Sequence, residues 1–327
     1  MIRARIVGTG QYLPERILTN HDLEQMMDTS DEWIQQRTGI RQRHVAEPGQ
    51  GSSDLGAPAA AEALEHAGVD PAEVDLVICC TTTPDYLFPA TACLIQERIG
   101  ARNAGAYDVS AACSGFVYGL ATADAFIRSG VHKTVVVVGA EVLSNRLNWK
   151  RRDTAVLFGD GAGAVVVRGE EGEQGVRNVH LGSDGGAADI LVMPTGGSVQ
   201  PYEQHPLESE ERVAIDMRGK ELFRKAVMAF AVATEKALAA GELTIGDVDL
   251  FIPHQANTRI IYTAADRLGL DHDKVYVNIA RVGNTTAASI PLALDDARKE
   301  GRLTPGANVL LAAFGAGLTW ASALIRW

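Results

Sequence analysis

Apolar residues along this chain fall into two alternating rhythms: short unbroken runs, and longer stretches spaced as one face of a helix. Val135-Val136-Val137-Val138 has no polar alternation, so it predicts a strand in a sheet covered on both faces. Leu55, Ala59, Ala63, Leu64 and Ala67 recur at helical spacing. Ser53 or Asp54 can accept hydrogen bonds from first-turn amides there, and Gly68 fits a left-handed stop. Runs and helices alternate throughout, which predicts right-handed βαβ units on a mainly parallel sheet.

The pattern also repeats. Val74-Asp75-Leu76-Val77-Ile78 returns as Val248-Asp249-Leu250-Phe251-Ile252, an offset of 248 − 74 = 174. Glu97-Arg98-Ile99-Gly100 returns as Asp266-Arg267-Leu268-Gly269, an offset of 266 − 97 = 169. Ile2 to Val7 has an echo in Val176 to Leu181, and Lys133 to Gly139 has one in Ala307 to Gly315. Together these predict an internal duplication: a half over 1–170 and a second over 175–327, divided in the polar stretch Glu170 to Gly175. Two α/β lobes stacked on shared helices would make a five-layered αβαβα sandwich. At the 169-residue offset the counterpart of Cys113 is residue 282, so the two halves are expected to bring Cys113 and Asn284 together.

Composition adds exclusions. A chain of 327 residues with 46% hydrophobic and 22% charged residues is an ordinary globular protein. The net charge of −11 argues against general nucleic-acid binding. No apolar stretch is long enough to span a bilayer, and the first residues lack a signal-peptide pattern, so a cytoplasmic location is expected. Basic residues cluster at Arg37 to Arg43, at Lys150-Arg151-Arg152, and at Arg218-Gly219-Lys220 with Arg224-Lys225; each reads most simply as solvated surface. Cys79 and Cys80 read as buried strand residues and Cys93 as a small helix hydrophobe. Eight histidines without ligand spacing make a metal unexpected.

The chemistry concentrates at three places. Cys113 follows the strand-like Ala106-Tyr107-Asp108-Val109 and opens the apolar helix pattern Ser114 to Leu120. A thiol at a helix N-terminus meets unpaired N–H groups and the positive end of the macrodipole, which favour thiolate. His254 ends an apolar run, and Asn284 lies in the turn-like Gly283-Asn284-Thr285-Thr286 before another apolar helix. A thiol, an imidazole and an amide suffice for acyl transfer. Phe314-Gly315-Ala316-Gly317 could bring N–H groups close to a ligand, as an oxyanion hole needs, or be a plain glycine hairpin. Phe158-Gly159-Asp160-Gly161 lacks the spacing of a nucleotide loop; it reads as a tight turn with Phe158 available to a pocket.

Several segments resemble the β-ketoacyl-acyl-carrier-protein synthase III family of the thiolase superfamily. They are Asp28 to Ile34, Arg37-Thr38-Gly39-Ile40, Ala111 to Phe116, Phe158 to Gly163, His254-Gln255-Ala256-Asn257 and Gly283-Asn284-Thr285. The resemblance implies that Cys113 is acylated by an acyl-CoA and that malonyl-acyl-carrier protein then enters and loses CO2. It further implies that His254 and Asn284 donate hydrogen bonds to the enolate-like thioester oxygen. The N–H groups of Cys113 and Ala316 would form the oxyanion hole. Trp33 and Arg152 would flank the CoA adenine, with Thr29, Arg37 and Asn257 also holding CoA. Arg224 and Arg259 would meet phosphopantetheine or the acidic carrier protein. Phe88 would reach across a homodimer into the partner's acyl pocket. Acyl-CoA is a substrate in this scheme, and no cofactor or metal is implied.

Several family members have glycine where this chain has Ala316, which bears on pocket shape. No second cysteine follows Cys113, as a thiolase needs, and only His272 follows His254, outside any glycine-rich motif, where elongating synthases need a second histidine. Competing expectations are a related enzyme priming a polyketide, quinolone or other secondary product, a papain-like peptidase, and a silent acyl-binding subunit.

Overall fold

The computed structural model describes residues 1–201 and 215–327. One mixed sheet is built from β1 (Ile2–Tyr12), β2 (Leu76–Cys80), β3 (Gly105–Val109), β4 (Thr134–Glu141) and β5 (Gly161–Glu171), in the order β1-β5-β4-β2-β3. The second contains β6 (Gly175–Ser183), β7 (Leu250–Pro253), β8 (Asn308–Gly315) and β9 (Thr319–Arg326), in the order β7-β8-β9-β6. The main helices are α1 (Asp31–Thr38), α2 (Ser52–Ala67), α3 (Thr91–Arg98), α4 (Gly115–Arg128), α5 (Gly219–Ala240), α6 (Thr258–Leu268) and α7 (Ser289–Lys299).

Five layers result. α2 and α3 cover the outer face of the first sheet, α4 and α7 lie between the sheets, and α5 and α6 cover the second sheet. The continuous strands show why: every residue of β4 is buried, so neither face tolerates water. Phe116, Val117, Leu120 and Ile127 of α4 share one core with Ile78 and Val137 of the first sheet and Leu311 and Ala323 of the second. Each such burial stabilises by about 1.5–3 kcal/mol, which fixes α4 and the turn that enters it.

α2 begins at Ser52 with Gly51 as its N-cap, so neither Ser53 nor Asp54 caps it as expected. Asp54 Oδ2 accepts from the Gly51 N–H at 2.7 Å, and Gly68 closes the helix at φ +62°. Ser53 instead gives its hydroxyl to Asp85 at 2.6 Å.

Two expectations are corrected. The sheets are not mainly parallel: among these strands, β4/β2, β2/β3 and β7/β8 are parallel, whereas β1/β5, β4/β5, β8/β9 and β9/β6 are antiparallel. The link from β8 to β9 is only Ala316 to Leu318, too short for the crossover a parallel pair requires. The duplication also runs on a single offset at its centre. β4 and β8 differ by 308 − 134 = 174, and the short turns Pro71–Glu73 and Ile245–Asp247 by 245 − 71 = 174. The counterpart of Cys113 is therefore Ala287 (113 + 174 = 287), not residue 282.

Candidate active site

Cys113 sits in a one-turn 3-10 segment, Ala112–Ser114, that runs into α4. Ala112 before it has φ +47°, a left-handed backbone that turns the chain sharply out of the first sheet. A Cβ on Gly139 would come within 2.4 Å of the Ala287 carbonyl oxygen, and one on Gly315 within 2.7 Å of the Cys113 nitrogen. Glycine at these two positions lets the halves close on each other around the thiol.

Asn284 is held by its backbone. Its N–H donates to Leu157 O at 2.9 Å and its carbonyl accepts from Gly159 N–H at 3.0 Å, which also fixes Phe158. The side-chain Oδ1 accepts from Thr286 N–H at 2.9 Å. That bond orients the amide and leaves its NH2 free to donate. His254 follows β7, and its N–H donates to Ala312 O at 2.8 Å. The ring is buried, with Nδ1 2.6 Å from Ser289 Oγ. Gln255, fully buried, pins this corner by donating to Pro253 O and Tyr276 O and accepting from Asn278 N–H.

Cys113, His254 and Asn284 line one cavity of about 300 Å³, together with Phe158, Phe314 and Gly315. Its outer wall carries Trp33, Arg37, Asn257 and Arg259. A second cavity of about 350 Å³ also reaches Cys113 and is lined by Thr82, Leu143, Phe158, Ile215, Thr286 and Ala316, among others. Phe158 thus lines both. Ala316 lies in the hairpin turn between β8 and β9 and lines the second cavity together with Cys113. Among the described residues neither the Cys113 nor the Ala316 N–H has a backbone carbonyl partner.

The electrostatics depart from the sequence reading. Burial pushes the Cys113 thiol up to about 12, helped by the Glu141 carboxyl and opposed by its own backbone N–H. That direction favours the thiol and runs against the thiolate expected from the helix start. Burial pushes the His254 imidazole down to about 3, so it is neutral. Glu141, fully buried, accepts from Thr82 N–H, Thr82 Oγ1 and Thr83 Oγ1 at 3.1, 3.0 and 2.7 Å.

The remaining expected positions divide. The Arg152 guanidinium lies 4.5 Å over the Trp33 ring and donates to Asp28 O. Asn257 donates to Arg37 O at 2.9 Å and caps α6 by accepting from Arg259 N–H. Thr29 and Arg152 lie outside the cavity lining, and Thr29 Oγ1 is buried without a hydrogen-bond partner. Arg224 faces a neighbouring groove with Asp184, Lys225 and Trp320. Phe88 is 85% exposed beside exposed Tyr86 and Leu87, away from both cavities.

Arg43 overturns its reading as solvated surface: it is fully buried. Its guanidinium donates to Leu18 O, Asn20 Oδ1 and Val156 O, and its stem packs where Gly159 and Gly283 lack a side chain. Ser289 was also missed as part of the site; its only signal was its place at the start of the apolar helix after Asn284. Among the described residues no group of three or more His, Cys, Asp or Glu could hold a metal, and no helix is long and apolar enough to cross a membrane.

This chain is similar in sequence and fold to known proteins. Residues 107–185 match the family model described as 3-oxoacyl-acyl-carrier-protein (ACP) synthase III, and residues 238–327 match that of its C-terminal part. The β-ketoacyl-acyl-carrier-protein synthase III of Caldanaerobacter subterraneus subsp. tengcongensis is 51% identical over 326 residues, spanning 100% of this chain and 98% of its own length. That of Xylella fastidiosa strain 9a5c is also 51% identical, spanning 100% and 99%. The crystal structure of 3-oxoacyl-acyl-carrier-protein synthase III from Aquifex aeolicus VF5 superposes with a TM-score of 0.92 at 44% identity, covering 99% of this chain and 100% of the other. The priming β-ketosynthase of the R1128 polyketide pathway superposes at 0.91 with 40% identity, covering 98% and 96%. Full-length identity of this order, on the thiolase-like fold already described, makes this chain a member of the β-ketoacyl-acyl-carrier-protein synthase III family.

Proposed function

We propose that this enzyme joins an acyl-CoA primer to malonyl-acyl-carrier protein, releasing CoA and CO2, to give the 3-ketoacyl-acyl-carrier protein that starts fatty-acid synthesis. The observation that carries the reading is that one cavity is lined by a thiol, a neutral imidazole and an oriented amide. Cys113 sulfur attacks the acyl-CoA carbonyl, the C–S bond to CoA breaks, and the thiol proton ends on the departing CoA sulfur. Malonyl thioester then binds and its C–C bond to the carboxylate breaks. The electron pair delocalises onto the thioester oxygen, where His254 and Asn284 donate hydrogen bonds. That carbanion attacks the acyl-Cys113 carbonyl, the C–S bond to Cys113 breaks, and the departing thiolate takes a proton from solvent to restore the thiol. The N–H groups of Cys113 and Ala316 stabilise the oxyanion in both transfers.

The outer wall of Trp33, Arg37 and Asn257 supports a role in holding CoA, and Arg152 joins it through Trp33. An adenine slotting between Trp33 and Arg152 has to part their stack. Thr29, with an unpartnered buried hydroxyl, completes the proposed CoA set. Arg259 on the cavity wall and Arg224 in the neighbouring groove are proposed to meet the carrier protein or its pantetheine. The second cavity, with Phe158 and Ala316 in its wall, is proposed to take the acyl chain.

Exposure of Tyr86, Leu87 and Phe88 supports a homodimer in which Phe88 closes the partner's acyl cavity. Phe88→Asp is expected to yield monomers in sedimentation velocity; an unchanged dimer would remove Phe88 from the interface. Four free cysteines support a reducing, cytoplasmic setting.

The deciding experiment offers a panel of acyl-CoA primers with malonyl-acyl-carrier protein and reads product mass. A 3-ketoacyl product and an acyl adduct on Cys113 are expected. No adduct with any primer would end this reading.

A further inference from the structure

Ser289 opens α7 and is fully buried. Its Oγ lies 2.6 Å from His254 Nδ1 and 3.4 Å from the backbone nitrogen of Gln255. Among the described residues the hydroxyl has no other hydrogen-bond partner.

The donors and acceptors can be counted. A neutral imidazole has one N–H and one bare nitrogen. The Gln255 N–H can only donate, so it takes a lone pair of Ser289 Oγ. If Nδ1 also carried a proton, the hydroxyl would face two donors, and its own O–H would have no acceptor among the described residues of this buried site. That arrangement wastes a buried donor. With Nδ1 bare, the Ser289 O–H donates to it and every group is satisfied. The chain of bonds then runs Gln255 N–H to Ser289 Oγ–H to His254 Nδ1.

We propose that Ser289 is a positioning residue that fixes His254 as the Nε2–H tautomer, so that the imidazole presents a hydrogen-bond donor to the catalytic cavity. A histidine held this way is suited to stabilise a developing negative oxygen and unsuited to take a proton from the thiol. The inference deepens the proposed function and rests on it for the consequence, but the tautomer itself can be read without turnover.

The test is nitrogen NMR of enzyme carrying 15N-labelled histidine, with the His254 signals assigned by their loss in His254→Ala. Nδ1 is expected to resonate as a bare, pyridine-type nitrogen and Nε2 as a protonated one. Ser289→Ala should populate the other tautomer, and Ser289→Thr, which keeps the hydroxyl, should restore the wild-type pattern. In kinetics, Ser289→Ala should slow malonyl decarboxylation by about tenfold, the worth of one lost hydrogen bond. Transfer of the acyl group from CoA to Cys113 should keep its rate, and Ser289→Thr should recover decarboxylation. A protonated Nδ1 in the wild type, or an unchanged tautomer in Ser289→Ala, overturns the inference. The Nε2–H tautomer alongside full decarboxylation by His254→Ala would uphold the role of Ser289 and sink the role of His254 instead.

Discussion

Ala112 and Thr286, 286 − 112 = 174 positions apart, share one left-handed backbone, at φ +47° and φ +46°. Each begins a one-turn 3-10 segment, Ala112–Ser114 or Thr286–Ala288, that leads into a central helix, α4 or α7. The duplicated fold has used the same sharp turn twice. In the first half it delivers Cys113, and in the second its leading residues carry Asn284. The copies differ at the equivalent site, cysteine against alanine; in the proposed chemistry one turn supplies the nucleophile and the other carries the amide donor.

That division of labour predicts separable half-reactions. Cys113→Ser is expected to abolish acyl transfer from acyl-CoA. His254→Ala and Asn284→Ala should each keep acylation but lower malonyl decarboxylation by about 10²–10³, the usual loss for one donor to a developing oxyanion. Rapid-quench measurement of the two steps with labelled substrates decides it. Equal loss of both steps in Asn284→Ala would show that the amide serves acylation too.

The depth of the thiol predicts its reactivity. With burial holding Cys113 at about 12, its alkylation by iodoacetamide in enzyme without substrate should climb with pH and show no plateau around the ordinary thiol value. A plateau near or below pH 8 would mean that the helix start had prevailed over desolvation after all.

How far the sequence reached, and where it stopped, has the same physical origin. Local order was legible: the unbroken valines of β4 announced a sheet covered on both faces, the residues around Cys113 and Asn284 marked turns entering apolar helices, and His254 marked the end of an apolar strand. Quantities set by three-dimensional burial were not. Arg43 looks like its neighbours Arg37 and Arg41 in a basic stretch, and only the packed structure removes it from water. Cys113 looked activated because its helix is visible in one dimension and its burial is not. The 169-residue offset arose from a match outside the central turns, where insertions differ between halves; the turns themselves keep 174.

Arg43 carries a prediction of its own. Its guanidinium meets carbonyl and amide oxygens but no carboxylate, and burial lowers it to about 10. Arg43→Met keeps much of the bulk yet strands Leu18 O, Asn20 Oδ1 and Val156 O, so it should cost about 3 kcal/mol or more in urea unfolding. Because the stem packs on Gly159 and Gly283, either side of the Phe158 and Asn284 bridge, decarboxylation should suffer before acylation does. A loss under about 1 kcal/mol would show that water reaches these oxygens.

His254 ties stability to acid. Its folded value is about 3, below the 6.5 of an unperturbed histidine, because burial disfavours the cation. Between those values the unfolded chain binds a proton that the folded one refuses, so stability rises with pH across this window and falls on acidification. Above pH 6.5 both states hold neutral imidazole and the effect vanishes. One such group contributes about 1.4 kcal/mol per pH unit inside the window. His44, His66 and His180 are lowered by burial too and act in the same direction, so the wild-type slope alone does not isolate His254. The difference between wild type and His254→Asn does. Urea midpoints from pH 7 to pH 4 should converge as acid is added, with the variant losing less stability per unit. Parallel curves would mean that the buried imidazole takes up its proton as readily as a free one, and a cationic His254 would then have to enter the chemistry.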